Sequence, residues 1–199
     1  MLESLLTAVA IKVTGLITRL GYWGIALAMA VESCNVPIPS EIIHPFAGYL
    51  VSTGQFKFLP AVLAGTMGGL AGSIISYYMG FYLMESPLLF FVSVQRRESL
   101  KQIFNQYGEG IVFFGRLLPM VRTVISLPAG AARMNIGKFI VYTLAGSLIW
   151  AFVLTYIGYL LGKNWKIISV YFHEADLLIL VILGLGLVYW LWRRKRRLV

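Results

Sequence analysis

The stretch IVFFGRLLPMVRTVISLPAGAARM, residues 111 to 134, places Arg116 and Arg122 among apolar side chains and contains no acidic residue. At bilayer depth an arginine costs roughly 2.5 to 3.5 kcal/mol even on lenient scales, so it normally faces a protein interior, a water cavity or an anionic ligand. Pro119 and Pro128 bracket Arg122 and predict a broken helix, because proline removes a backbone hydrogen bond. Broken backbone at membrane depth lines cavities, so this stretch is predicted to contribute to a site.

The composition around this stretch is that of a membrane protein. The chain has 199 residues, of which 59% are hydrophobic and 13% charged, and its mean hydropathy is +0.80. These values predict an all-α integral membrane protein that forms a single membrane domain over 1–199. The net charge of +9 does not indicate nucleic acid binding, because the basic residues flank apolar segments and form no patch interleaved with aromatics.

Residues with metal or catalytic chemistry are few. Cys34 is the one cysteine, and His44 and His173 are far apart, so no metal-ligand spacing is present and we predict no metal and no cofactor. His44 precedes Pro45 and is interpreted as a hydrogen-bonded structural residue. Because no serine has a histidine at a recognisable motif spacing, we predict no catalytic residue and no enzymatic activity.

The first half of the chain is interpreted as a short hairpin followed by a full span. Its apolar runs at 22–31 and 46–51 are shorter than the roughly 20 residues that a crossing helix requires. A re-entrant hairpin over 22–53 is therefore predicted, followed by a span over 59–84 in which glycines three and four residues apart predict a close-packed face. Residues 4–20 fit either a short span or an interfacial helix. The hairpin break is assigned to Pro37, Pro39 and Pro45.

The second half repeats this order of elements. The predicted segments are an interfacial cytoplasmic segment at 93–109, a second hairpin at 110–134, a span at 139–162 and a C-terminal transmembrane helix at 177–192. A shift of 82 residues places Pro37 on Pro119, Gly48 on Gly130 and Gly80 on Gly162. We interpret 20–84 and 110–162 as two structural repeats.

Charge asymmetry predicts the orientation of these repeats. With the terminal RRKRR in the cytoplasm, ten lysines and arginines fall inside and five outside, provided that the N-terminal segment lies outside. The first hairpin then enters from outside and the second from inside, so the two halves are inverted in topology. Inverted repeats are typical of transporters whose sites lie at the midplane between broken helices.

Acids and arginines occupy similar places in the two repeats. Glu41 aligns beside Arg122, and Arg116 aligns two residues after Glu32. If the hairpins meet tip to tip, the four side chains share one intramembrane cavity. Guanidinium groups match phosphate oxygens bidentately, and a carboxylate that titrates beside them would couple binding to protons. A purely structural salt-bridge network that locks the hairpins together is the alternative at this point.

The motifs ESCNVPIPSE at 32–41, the following AGYL, and FFGRLLPMVRTVISLPAGAARM at 113–134 resemble the DedA family, also described as the SNARE-associated or VTT-domain family. The resemblance implies a polytopic membrane protein with two re-entrant hairpins and lipid translocase activity. Bacterial members of this family are associated with undecaprenyl phosphate and phosphatidylethanolamine, and eukaryotic relatives with phospholipid scrambling. The resemblance also implies that the family's functional acids and arginines correspond to Glu32, Glu41, Arg116 and Arg122. Many bacterial members have an aspartate, or a glycine–aspartate pair, where this chain has Ser40 and Glu41.

The favoured hypothesis is a flippase of the bacterial cytoplasmic membrane that moves a phosphate-headed lipid, undecaprenyl phosphate, with protons as coupling partner. In this hypothesis Arg116 and Arg122 bind the phosphate, and Glu32 and Glu41 gate the site or carry the proton. The alternatives are a phosphatidylethanolamine translocase or scramblase, a proton-coupled antiporter of small cations, and a structural membrane protein. The direction of transport, the energy source and a homo-oligomeric state stay open at this stage.

Overall fold

The computed structural model describes residues 2–36, 40–83, 110–119 and 121–164, and their side chains from residue 10 onward. All regular structure in these ranges is helical, which confirms the predicted helical class. The helices are α1 (Leu2–Leu20), α2 (Tyr22–Ser33), α3 (Ser40–Ser52), α4 (Phe58–Leu83), α5 (110–116), α6 (Val121–Val124), α7 (Ser126–Ala131) and α8 (Ile136–Leu161), and a 3₁₀ turn (Gly162–Asn164) follows.

Two of these helices, α4 and α8, are long and apolar enough to cross a membrane. Each has 26 residues and is therefore about 39 Å long, more than the roughly 30 Å of bilayer hydrocarbon. The spans predicted at 59–84 and 139–162 fall on α4 and α8. The segments predicted at 93–109 and 177–192 lie outside the described residues.

The glycine-rich face predicted on α4 is confirmed as a helix-contact face. Gly68 lies against the backbone of Ala26 and Gly72 against that of Ala30, both on α2, so closely that a β-carbon at either glycine would overlap the neighbouring backbone. Small residues permit this approach, which gives apolar helices in a membrane their van der Waals packing. The buried small residues of this face also include Gly65, Gly69, Ser76 and Gly80.

Helices α2 and α3 have 12 and 13 residues, and each is about 20 Å long at most. The backbone N–H of Lys57, just before α4, donates a hydrogen bond of 2.8 Å to the hydroxyl of Tyr22, at the start of α2. The chain therefore leaves α3 at the same end at which it entered α2. Pro37 and Pro39, in the connection between the two helices, lie outside the described residues.

The prediction that Pro45 contributes to the first break is wrong, because α3 continues through it. The backbone of Pro45 packs directly against Gly158 on α8, where a β-carbon would overlap it. We attribute the intact helix to this tertiary contact, which offsets the hydrogen bond that proline removes.

In the second half the chain is interrupted more often. A turn over 117–119 separates α5 from α6, and Pro119 lies in that turn. Ile125, between α6 and α7, keeps helical dihedral angles and accepts from the N–H of Ala129 at 3.2 Å, so this boundary is only a local irregularity. Pro128 lies in the first turn of α7, where a missing N–H has little cost. Three short helical pieces thus occupy the region of the predicted second hairpin.

The two halves exchange packing partners. Helix α3 of the first half packs on α8, with Gly48 against the backbone of Thr155 and Tyr159. Helix α7 of the second half packs on α4, with Gly130 against the backbone of Tyr77. The short helix that follows each interruption therefore lies on the long helix of the other half, and buried side chains of both halves meet between them.

Candidate anion site between the two halves

A salt bridge joins the two halves among these buried side chains. Arg122, the second residue of α6, donates from Nη2 to Oε2 of Glu32, near the end of α2, at 3.4 Å. Both side chains are about 3% exposed. The hydroxyl of Ser33 donates to the same carboxylate oxygen at 3.3 Å. An ion pair of 3.4 Å uses only part of the donor capacity of a guanidinium group.

An aromatic ring supports the other face of Arg122. The guanidinium carbon lies 5.2 Å from the centre of the Trp150 ring on α8, which is a cation–π distance. The indole N–H of Trp150 donates to the hydroxyl of Ser40 at 3.4 Å, and that hydroxyl donates to Oε1 of Glu41 at 3.2 Å. Trp150 thus links the arginine of the second half to the acid of the first.

Arg116 is held by a different set of contacts. It is 1% exposed, and its Nη2 donates to the hydroxyl of Ser126 on α7 at 2.6 Å. Its β-carbon lies against Gly146 of α8, where any side chain would collide with it. Gly146 therefore lets the aliphatic stem of Arg116 pack on the long helix while its head reaches α7.

Both guanidinium groups keep donor nitrogens that no described residue satisfies. These are Nε of Arg116 and both Nε and Nη1 of Arg122. Buried donors without acceptors are uncommon, because each costs about 1 to 3 kcal/mol, and more when the group is charged. Three such nitrogens on two neighbouring arginines make a site to which an anion with several oxygens would be complementary.

The charges of the predicted site residues lie close together. Glu32 is within electrostatic range of Arg122, Glu41 and Arg116, and Arg116 is within range of Arg122. All four side chains are buried, with exposed fractions of 1 to 7%. Two arginines and two glutamates cancel formally when all four are ionised. A phosphate that enters this site therefore adds negative charge.

Several polar neighbours were not among the predicted site residues. Ser126, Ser40 and Trp150 bond or stack on the charged groups, as described above. Trp150 carried a usable signal in the sequence, since tryptophan in a span usually lies at the interface and this one lies in the middle of α8. Ser126 had no such signal, because serine is common in membrane helices.

His44 differs from its sequence interpretation. It is 1% exposed and its ring lies against Gly65 of α4. Its Nδ1 has no hydrogen-bond partner among the described residues, so the expectation of a hydrogen-bonded histidine is wrong for this atom. The described residues contain no group of three or more histidine, cysteine or acidic side chains placed to hold a metal ion.

Comparison with known proteins shows the family to which the chain belongs. The VTT domain family model matches residues 38–160. The chain is 36% identical over 184 residues to the uncharacterised membrane protein YkoX of Bacillus subtilis, covering 89% of this chain and 81% of that protein. No solved structure matches.

Two further relatives have names that refer to a function. Undecaprenyl phosphate transporter A of Bacillus subtilis is 34% identical over 181 residues, covering 86% of this chain and 89% of the relative. A Lactococcus lactis relative called alkaline phosphatase-like protein is 32% identical over 177 residues, covering 84% and 83%.

The chain is therefore a membrane protein of the VTT-domain family, the DedA family, as its motifs predicted. The family and the names of its relatives indicate a membrane transporter rather than an enzyme.

Proposed function

We propose that this protein moves a phosphate-headed lipid, undecaprenyl phosphate, across the bacterial cytoplasmic membrane. The observation that carries the proposal is the pair of buried arginines with unused donor nitrogens, Nε of Arg116 and both Nε and Nη1 of Arg122. A salt-bridge network that served only to lock helices together would use these donors. A terminal phosphate offers several oxygens to them, and its polyprenyl tail would stay in the bilayer.

The architecture that we propose is an inverted repeat of a re-entrant hairpin and a spanning helix. The bond between Lys57 and Tyr22 supports a hairpin whose two ends lie on one side. The packing of α3 on α8 and of α7 on α4 supports two halves related by a pseudo-two-fold axis. Transporters of this architecture bind substrate near the midplane, between broken helices.

Proton coupling through Glu32 and Glu41 is the second element of the proposal. The four site charges cancel formally, so an incoming phosphate brings uncompensated negative charge into a buried place. Protonation of one carboxylate would remove that imbalance, and its release would follow the departure of the phosphate. Glu32 is suited to this role because its oxygen is bonded to the same arginine that would bind the phosphate.

The orientation that we propose places the C-terminus in the cytoplasm, as the basic segment RRKRR predicts. A cysteine added after Val199 should react with a membrane-impermeant thiol reagent only after the cells are opened. The intrinsic Cys34 would be replaced by serine, and that variant without the added cysteine is the control. Reaction in intact cells would contradict this orientation.

Flux in proteoliposomes that contain only this protein tests the function. Labelled undecaprenyl phosphate should cross when wild-type protein is present, and Arg116→Lys and Arg122→Lys should each lose most of the flux. Lysine keeps the charge but cannot reproduce the planar fork of a guanidinium group. Arg19→Lys, an exposed position at the end of α1, is the matched control and should leave flux unchanged. If the protein moved only phosphatidylethanolamine, or only exchanged small cations for protons, undecaprenyl phosphate would not be its substrate.

A further inference from the structure

The buried hydroxyl groups of α8 lack the partners that such groups normally have. Thr143 and Thr155 are 0% exposed and Ser147 is 6% exposed, and none of the three hydroxyls has a hydrogen-bond partner among the described residues. A serine or threonine in a helix has an acceptor available in the carbonyl four residues earlier. In α8 none of these three hydroxyls donates to it.

The buried hydroxyls of α4 are all bonded. Thr66 donates to the carbonyl of Val62 at 2.8 Å, Ser73 donates to that of Gly69 at 2.5 Å, and Ser76 accepts from Asn35 at 2.5 Å. Helix α4 has the same length and a similar apolar character. The unpartnered hydroxyls are therefore a property of α8 and not of buried helices in this protein generally.

The three hydroxyls lie on one ridge of α8, because residues 143, 147, 151 and 155 are each four apart. At 1.5 Å per residue the ridge is about 18 Å long, more than half of the bilayer hydrocarbon. Ala151 completes it with a small side chain. An apolar ridge would satisfy the packing equally well, so the hydroxyls need another explanation.

The ridge runs beside both arginines of the proposed site. Gly146, three residues after Thr143, touches the stem of Arg116, and Trp150, three residues after Ser147, touches Arg122. At the other end the backbone of Thr155 borders Gly48 of α3. The line of hydroxyls thus extends from Arg116, past the level of Arg122, to the first half of the molecule.

We infer that the hydroxyls of Thr143, Ser147 and Thr155 form a track along α8 that donates hydrogen bonds to a phosphate group moving past the two arginines. This inference rests on the proposed function and adds the route that the phosphate group takes through the protein. The hydroxyls are buried in this structure, so the passage requires helices packed on α8 to separate from it. The phosphate then exchanges arginine donors for hydroxyl donors without entering a purely apolar environment.

The variants Thr143→Val, Ser147→Ala and Thr155→Val test the track, singly and combined, in proteoliposomes with labelled undecaprenyl phosphate. Each single change should lower flux about tenfold to a hundredfold, as expected for one lost hydrogen bond to a charged group, and the triple variant should approach background. The thermal midpoint should stay constant or rise, because valine and alanine remove a buried hydroxyl that has no partner.

Thr66→Val and Ser73→Ala on α4 are the matched controls. Because their hydroxyls are already bonded within the helix, these changes should leave flux unchanged and should lower the thermal midpoint or leave it the same. A triple α8 variant with full flux would overturn the track. A loss of flux that only follows a loss of folded protein would overturn it as well.

Two further measurements separate the possible causes. Uptake of labelled inorganic phosphate is measured with the same variants. If the variants lose flux of the lipid, the track binds a lipid headgroup. If they lose only the uptake of inorganic phosphate, it binds the free anion. If wild-type protein moves no phosphate compound, the proposed function and the track both fail. If the Arg122→Lys variant loses flux and the hydroxyl variants do not, only the track fails.

Discussion

Helices α4 and α8 are both 26 residues long and apolar, yet they differ in whether their buried hydroxyl groups have hydrogen-bond partners. The buried hydroxyls of α4 are bonded, and its glycines lie tightly against the backbone of α2 and α7. Helix α8 carries three buried hydroxyls without partners and borders both arginines. In our proposal α4 therefore supplies packing, whereas α8 carries the surface along which a substrate would move.

The largest effect on the α8 side is expected from Arg122→Ala, which removes the arginine that stacks on Trp150. Flux of undecaprenyl phosphate should fall to background, and the free energy of unfolding should fall by about 3 to 5 kcal/mol, because Glu32 becomes an unpaired buried charge.

Adding Glu32→Gln to this variant separates the two effects. Glutamine removes the unpaired charge, so the double variant should recover stability without recovering flux. The measurements are flux and thermal denaturation in detergent. Substantial flux in the Arg122→Ala variant would refute the phosphate-binding role.

The packing role of α4 is tested by Gly72→Leu. The new side chain would meet the backbone of Ala30, and a cost of about 3 kcal/mol is expected for such overpacking. The yield of folded protein should drop, while flux per folded molecule should stay near the wild-type value. Ala71→Leu, at the adjacent exposed position, is the control. Equal stability of both variants would show that α4 is not the tightly packed element.

Glu32→Gln and Glu41→Gln should have a more selective effect. Each keeps the shape of the side chain and cannot titrate, so phosphate binding should stay measurable while the response of flux to an imposed pH gradient is lost in at least one of them. Flux is measured in vesicles with and without the gradient. Full gradient dependence in both variants would remove proton coupling from the proposal and leave phosphate binding in place.

The smallest effect is expected from Trp150→Phe. Phenylalanine keeps a ring beneath Arg122 and loses the indole N–H that donates to Ser40, so flux should fall about threefold. Trp23→Phe, at an exposed position on α2, is the control and should have no effect. An unchanged rate for Trp150→Phe would show that this link between the two halves does not position the arginine.

Much of the architecture follows from local sequence. Long apolar runs with small residues predict α4 and its contact face, because a span needs a certain length and close helices need small side chains. Isolated arginines in an apolar stretch indicate a site, because their desolvation requires a partner. The break at Pro45 failed as a prediction because packing on Gly158, a residue 113 positions away, outweighs the local preference of proline.

The sequence by itself determined the helical membrane class, the family motifs and the identity of the four charged residues. Only the tertiary structure decided that Arg122 pairs with Glu32, although the repeat alignment puts Glu41 beside its position. The alignment relates equivalent places in the two halves and carries no information on which of them touch. The unpartnered hydroxyls of α8 are likewise a tertiary property. The sequence shows that a residue is serine or threonine, but it does not show whether the hydroxyl bonds to its own helix or faces the site.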